Sequence, residues 1–380
     1  MNGSAVRRLL LGGLIGYWLL AASPVWCAEP VVSAAGALLL DAETGQVLWE
    51  QDGYTPRPPA STTKILTALL CLDIAPLDRE VTVTPAASAV GESSAGLLAG
   101  EDFVLGELLN AALLKSANDA CYAIAEGAVG SEPYFVHLMN TKAGMLGADN
   151  AVLMNTNGLP DDRHVMSCYD LALLARSAMQ NAEFRSRVGS VYGTMHGGSY
   201  DRSLKNTNKL LVQNEYVTGI KTGTTNAAGA CLVSSMERDG RSVIAVVLDS
   251  KDRYADSLRL LNYGIDGFGS RELVREGQYL GVFAAAEPVP VRAAGGLRAV
   301  LPVEADEVRP VYHWRQADEL TAVAAGETVG TLEFCTADGG SIGSVNLLAA
   351  ADARPDRWRL ALHRAADALQ QLWGRIIPGE

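Results

Sequence analysis

Strand and helix patterns are segregated along this chain, and that segregation constrains the fold more than any other feature. The apolar run Gly36 to Leu40, the turn-forming Asp41-Ala-Glu-Thr-Gly45 and the alternating Gln46 to Glu50 predict a β-hairpin. Helical patterns then dominate. Ala60 to Leu72 is an apolar stretch free of Gly and Pro, read as a buried helix beginning at Ser61 after Pro58 and Pro59; Leu105 to Leu114, Asp119 to Ala128 and Leu171 to Met179 follow. Strand signals return at Tyr216 to Lys221, Ala230 to Ser235 and Val243 to Leu248, and a helical pattern at Ala255 to Tyr263 closes this part. Such an order predicts an α+β fold rather than an alternating βαβ chain.

The two ends differ from this body. Residues 1–28 carry Arg7 and Arg8, no acid, and the apolar run Leu9 to Ala22, too short to cross a bilayer, before a small-residue cut site at Ala28. That predicts a secretory signal peptide. Beyond about residue 272, short apolar runs alternate with Pro and Gly (Val289-Pro-Val, Leu301-Pro-Val, Val329-Gly-Thr-Leu), which predicts a small all-β module over 273–350 after a first domain of 29–272. In the tail, 351–380, Trp358, Leu362, Ala365, Leu369, Leu372, Trp373 and Ile376 recur at helical spacing. An amphipathic helix with tryptophans at both ends suits a membrane surface; packing on its own domain is the alternative.

A formal charge of −12 and a pI near 5.0 argue against a nucleic-acid partner. Six cysteines at irregular spacing, with no CxxC, and five scattered histidines imply neither a disulfide framework nor a metal site. Only seven of the 380 residues are lysine, so lysine motifs carry information here. Ser61-Thr-Thr-Lys64 opens the apolar helix, and an i, i+3 pair shares a helix face, so the amine can reach the hydroxyl. A lysine kept neutral by burial and a second cation can serve as base, and the helix N-terminus favours a developing alkoxide. With this composition about 0.4 SxxK matches arise by chance, against about 0.04 for Lys221-Thr-Gly223, so the second motif is the sharper. It lies in a strand and turn region, where the lysine offers a cation to a carboxylate, the glycine permits close approach, and strand amides can pair with an extended peptide. Ser116-Ala-Asn118 stands at the break between two helical patterns, between the other motifs.

Serine with lysine, then SxN, then KTG, after a signal peptide, resembles the penicillin-binding proteins and serine β-lactamases, and more narrowly the D-alanyl-D-alanine carboxypeptidase family. The likeness extends to Leu40-Asp-Ala-Glu-Thr-Gly-Gln-Val-Leu48, Pro59-Ala60, Asp119-Ala120, Met139-Asn140, Asn157-Gly-Leu159 and Thr224-Thr-Asn-Ala-Ala-Gly229. The resemblance implies a β-lactamase/transpeptidase-like domain, an antiparallel sheet with a helical cluster. It also implies roles: Ser61 as acylated nucleophile, Lys64 as its base, and Ser116 as proton relay to the leaving amine, assisted by Lys221. Asn118 would hold the substrate amide, Lys221, Thr222 and Gly223 the terminal carboxylate and backbone, and the amides of Ser61 and Thr224 the oxyanion. The implied substrate is a peptidoglycan stem peptide ending in D-Ala-D-Ala, with β-lactams as covalent inhibitors, no cofactor, and a location outside the cytoplasmic membrane, peripheral on its outer face.

A serine β-lactamase is the nearest alternative, but no glutamate between Asn118 and Lys221 sits in an E-x-x-L-N setting, and some 110 residues after Gly269 exceed a lone lactamase domain. A non-catalytic wall-binding relative would not need every chemical residue intact. Transpeptidation onto an amine would use the same acyl-enzyme.

Overall fold

The structure, a computed structural model, describes residues 29–303, 308–317, 321–337 and 339–356, with a few helical positions between 358 and 368. The expected signal segment and most of the amphipathic tail lie outside these residues.

Five antiparallel strands form the central sheet: β1 (Gly36–Asp41), β2 (Val47–Gln51), β3 (Val217–Thr225), β4 (Gly229–Arg238) and β5 (Arg241–Ser250). Their order is β2-β1-β5-β4-β3, so the amino-terminal hairpin joins a sheet completed some 170 residues later. β1 pairs with β2 on one side and β5 on the other, and all six of its residues are buried, which is why Gly36 to Leu40 is a continuous apolar run; the buried Asp41 at its end accepts from the Thr44 N–H and hydroxyl. Alternate side chains serve two cores. Leu38 and Leu40 pack with helices α1 (Lys64–Ile74), α2 (Asn118–Val129), α3 (Glu132–Met145) and α4 (Cys168–Gln180), whereas Ala37 and Leu39 pack with Leu260, Leu261 and Ile265 of α5 (Arg253–Gly267). The result is helices, sheet and helix in three layers.

Several boundaries differ from expectation for local reasons. Ala60–Thr63 is a tight 3-10 turn, and the α-helix proper starts at Lys64 rather than Ser61. The pattern Leu105 to Leu114 is helical to Asn110 and then opens into a wide turn, Ala111–Lys115, ending at Ser116. β3 runs past Lys221 to Thr225, so the whole KTG motif is strand. Helix α3 was not expected, although Ser131 caps it by accepting from the Tyr134 N–H and Pro133 stands in its first turn.

After α5 come β6 (Phe268–Val274), β7 (Tyr279–Ala284), β8 (Pro288–Ala293), β9 (Leu297–Pro302), β10 (Arg309–Trp314), β11 (Thr328–Cys335) and β12 (Ser341–Ala349). β6 pairs with β9, and the others form a sheet in the order β7-β8-β12-β11-β10 around their own core of Val291, Val329, Leu332 and Leu347. The expected boundary at 272/273 falls inside β6. No helix among the described residues is long and apolar enough to cross a membrane.

Candidate active site

The tight turn before α1 is wedged between two glycines. Ala60 adopts a left-handed conformation (φ 49°), which costs an L-residue roughly 1 kcal/mol and has to be held by its surroundings. A Cβ on Gly158, itself at φ +84°, would overlap the Ala60 carbonyl oxygen. A Cβ on Gly223 would stand 3.0 Å from the Pro59 carbonyl oxygen, the Ala60 Cβ and the Ser61 nitrogen. Gly223 was expected to admit a ligand; here it admits the backbone of the Ser61 turn, which seats the Ser61 nitrogen against the strand that carries Thr224. Ser61 is partly exposed and Thr224 exposed; their chain neighbours Ala60 and Thr225 line a cavity of about 160 Å³ together with Pro59, Gly158 and His164.

Lys64 carries the electrostatics. It has no exposed surface, and its Nζ lies 2.7 Å from Ser61 Oγ, 2.8 Å from Asn118 Oδ1 and 2.6 Å from the Asn157 carbonyl oxygen. Burial pushes its pKa down to about 8, against opposing contributions from the Cys121 thiol, Glu92 and Asp119. Two of the three partners can only accept: the Asn157 carbonyl, and Asn118 Oδ1, whose orientation is fixed because Nδ2 of the same amide donates to the Gly91 carbonyl at 3.0 Å. A neutral lysine has two N–H bonds and one lone pair. With both hydrogens committed to Asn118 and Asn157, the lone pair faces the Ser61 hydroxyl.

Ser116 ends the wide turn in a left-handed conformation (φ 63°, ψ 32°) and is 8% exposed; Asn118 opens α2 with its N–H bonded to the Ser93 carbonyl at 2.7 Å. Asp119, which sequence reasoning gave no role, folds the 91–97 loop over this corner. It accepts from Ser94 Oγ (2.6 Å) and from the N–H groups of Ala95 (2.9 Å) and Leu97 (3.1 Å). The far end of the loop is pinned by the buried pair Glu101 and Arg202, 2.7 Å apart, the guanidinium lying 4.3 Å from the Tyr200 ring. Burial raises the Glu101 pKa, yet the hydrogen bonds from Arg202 and from the N–H groups of Leu98 and Ser199 outweigh it and hold the group at about 2.

Lys221 is 1% exposed, beneath the strand, with Nζ 3.1 Å from the Thr222 carbonyl oxygen. Burial first, then the charge of Lys64, pushes its pKa well below the ordinary lysine value. Thr222 shares a 2.6 Å hydroxyl contact with Thr207, and Thr224 Oγ1 donates to the Gly223 carbonyl at 2.8 Å. A second cation supports this strand from the first turn of α5: Arg253 Nη1 donates to the carbonyls of Gly223 (2.6 Å) and Cys231 (3.0 Å). No sequence motif announces Arg253, which reaches the strand from α5, a helix packed on β5, β4 and β1. Of the eight expected residues, Ser61, Lys64 and Asn118 are directly hydrogen-bonded, Gly223 packs against the Ser61 turn, and Lys221 lies close enough for the charge of Lys64 to act on it; Ser116 stands two residues before Asn118, while Thr222 and Thr224 flank Gly223 on β3. Among the described residues no group of His, Cys, Asp and Glu side chains could hold a metal ion.

Comparisons with known proteins identify the relatives of this chain. The D-alanyl-D-alanine carboxypeptidase family profile matches residues 24–252. D-alanyl-D-alanine carboxypeptidase DacF of Bacillus subtilis is 32% identical over 292 residues, 72% of this chain and 75% of that protein, and DacA of Escherichia coli is 30% identical over 331 residues, 80% of each. Penicillin binding protein 5 from Haemophilus influenzae superposes with a TM-score of 0.74 at 24% identity over 86% of this chain and 99% of that one, a likeness of fold that includes the β-rich part. The Streptomyces DD-transpeptidase superposes with a TM-score of 0.60 at 33% identity over 63% of this chain and 99% of that one. With its profile match across more than half the chain, its penicillin-binding fold and its serine-lysine corner, this protein belongs to the D-alanyl-D-alanine carboxypeptidase family of serine peptidases.

Proposed function

We propose that the protein removes the terminal D-alanine from peptidoglycan stem peptides ending in D-Ala-D-Ala, through an acyl-enzyme on Ser61, and that penicillins acylate the same residue. The observation that carries this reading is the pair of acceptor-only partners of Lys64, which aims its lone pair at Ser61 Oγ. Lys64 takes the hydroxyl proton as the oxygen attacks the scissile carbonyl, and the N–H groups of Ser61 and Thr224 receive the charge that develops there. Ser116 passes a proton to the leaving amine, with Lys221 behind it. The substrate lies antiparallel to β3, its carboxylate toward Lys221 and Thr222 and its amide toward Asn118. Water then releases the shortened peptide. A fluorescent penicillin should label the mature chain but not Ser61→Ala, and the wild type should release D-alanine from a stem-peptide mimic. A wild-type chain that takes no label and releases no D-alanine sinks the proposal.

The same reading assigns 29–272 to catalysis and 273–350 to an accessory β domain, outside the cytoplasmic membrane, with 351–380 lying on the membrane surface. Support for the last comes from Trp358 and Leu362, exposed by 79% and 69% at described tail positions, which favours a membrane over packing on the protein itself. A chain ending at Ala353 should lose binding to anionic vesicles that the full chain shows; equal binding by both would favour another site of attachment.

A further inference from the structure

We propose that His164 is a positioning residue for the reaction, orienting the Ser61 N–H of the oxyanion site through Thr63 and the Ala60 carbonyl; the inference rests on the acyl-serine reading above. His164 lies on the loop after Gly158, is 2% exposed, and has no contact with Ser61 or Lys64 in its hydrogen bonding. The Met154 N–H donates to Nδ1 at 3.2 Å, so that nitrogen bears no proton. The ring proton of a neutral imidazole is then on Nε2, which lies 2.9 Å from Thr63 Oγ1 and donates to it. Burial favours the neutral form, bringing the pKa down to about 4 despite the nearby charge of Asp161. Thr63, fully buried, has one hydroxyl hydrogen left, and it donates to the Ala60 carbonyl oxygen at 2.9 Å.

The end of this chain is what gives it chemical meaning. The Ala60 carbonyl and the Ser61 N–H are the two ends of one planar peptide group. Holding the oxygen fixes the direction of the N–H, and the hold is needed because Ala60 is left-handed and would otherwise relax. Gly158 closes the same carbonyl from a second side, since only a residue without Cβ fits against it. An N–H aimed at charge that appears only in the transition state affects the rate of acylation and leaves ground-state binding alone.

The test compares conservative variants of the full chain by fluorescent-penicillin acylation, separating the limiting rate from the half-saturating concentration, with urea denaturation alongside. His164→Gln can place an amide N–H where Nε2 donates to Thr63, whereas His164→Asn reaches only the Nδ1 side. The expected result is that Gln keeps the limiting rate within a few-fold and Asn lowers it about 10- to 100-fold at an unchanged half-saturating concentration. Thr63→Val should fall by as much as Asn, Thr63→Ser should stay near wild type, and Thr63→Val combined with His164→Asn should be no slower than either alone. If Gln and Asn variants acylate alike, or if folded Thr63→Val keeps the wild-type limiting rate, the inference is overturned; should the histidine variants not fold, the two threonine variants decide it. A wild-type chain that takes no label instead overturns the acyl-serine reading itself, and this inference with it.

Discussion

Lys64→Arg forms the acyl-enzyme about 100- to 10,000-fold more slowly than the wild type, although the variant keeps a positive charge and a long side chain at the same place. General-base assistance is worth about 10²- to 10⁴-fold, and an arginine cannot give up its proton in a protein. The geometry sharpens the point, because the Asn118 and Asn157 oxygens reward N–H donors, so a guanidinium can satisfy both and still offer no lone pair to Ser61. The same argument sets the pH dependence of the wild type. Burial lowers the Lys64 pKa to about 8, and the competent base is the deprotonated form. Its population, and with it the acylation rate, therefore rises about tenfold per pH unit well below 8 and levels off above it. Stopped-flow acylation by a fluorescent penicillin across that range checks both claims. A Lys64→Arg chain retaining a tenth of the rate, or a wild-type rate that does not change below pH 8, would mean that another group takes the serine proton.

How much of this corner was legible in the sequence depended on whether a residue's task is local. The Ser61 to Lys64 reach follows from i, i+3 spacing, and the structure gives it as 2.7 Å. The segregated strands of the central sheet were readable because β1 and β5 are apolar enough to be recognised singly, even though they meet across some 200 residues. Helix α3 was less readable: its buried residues, Phe135, Val136, Met139 and Ala143, are interleaved with half-buried polar ones, so the period is blurred. Ser131 and Pro133 were the available signal. The second and third partners of Lys64 could not be read at all, because Asn157 contributes a backbone carbonyl, which every residue has. Nor could the buried posture of Lys221, which makes its charge depend on Lys64. Asp119, His164 and Arg253 escaped for a related reason: Asp119 and Arg253 act on backbone groups, and His164 on the Thr63 hydroxyl, of segments distant in sequence, and no spacing rule connects them.

Gly158→Ala is the sharpest probe of how the Ser61 turn is held, and its expected effect is larger than that of most glycine substitutions. Two costs coincide at this position. A side chain at φ +84° is strained whatever the space, by roughly 1–2 kcal/mol, and here the added methyl would also occupy the volume of the Ala60 carbonyl oxygen. Overpacking against backbone adds about 1–3 kcal/mol, because a carbonyl in a hydrogen-bonded turn cannot swing away as a side-chain tip would. Destabilisation of roughly 2–5 kcal/mol is expected in urea denaturation, and any relief has to come from moving the Ala60 to Ser61 peptide. That movement misdirects the Ser61 N–H, so the fraction that remains folded should also acylate about 100-fold more slowly. Gly144→Ala provides the contrast: that glycine is exposed within α3, a methyl there meets nothing within 4 Å, and the helix should gain about 0.5–1 kcal/mol with acylation unchanged. If Gly158→Ala were as stable and as fast as the wild type, the turn would have to tolerate a displaced Ala60 carbonyl. The oxyanion site would then be fixed by β3 and Gly223 alone, and not by the loop that carries Asn157, Gly158 and His164.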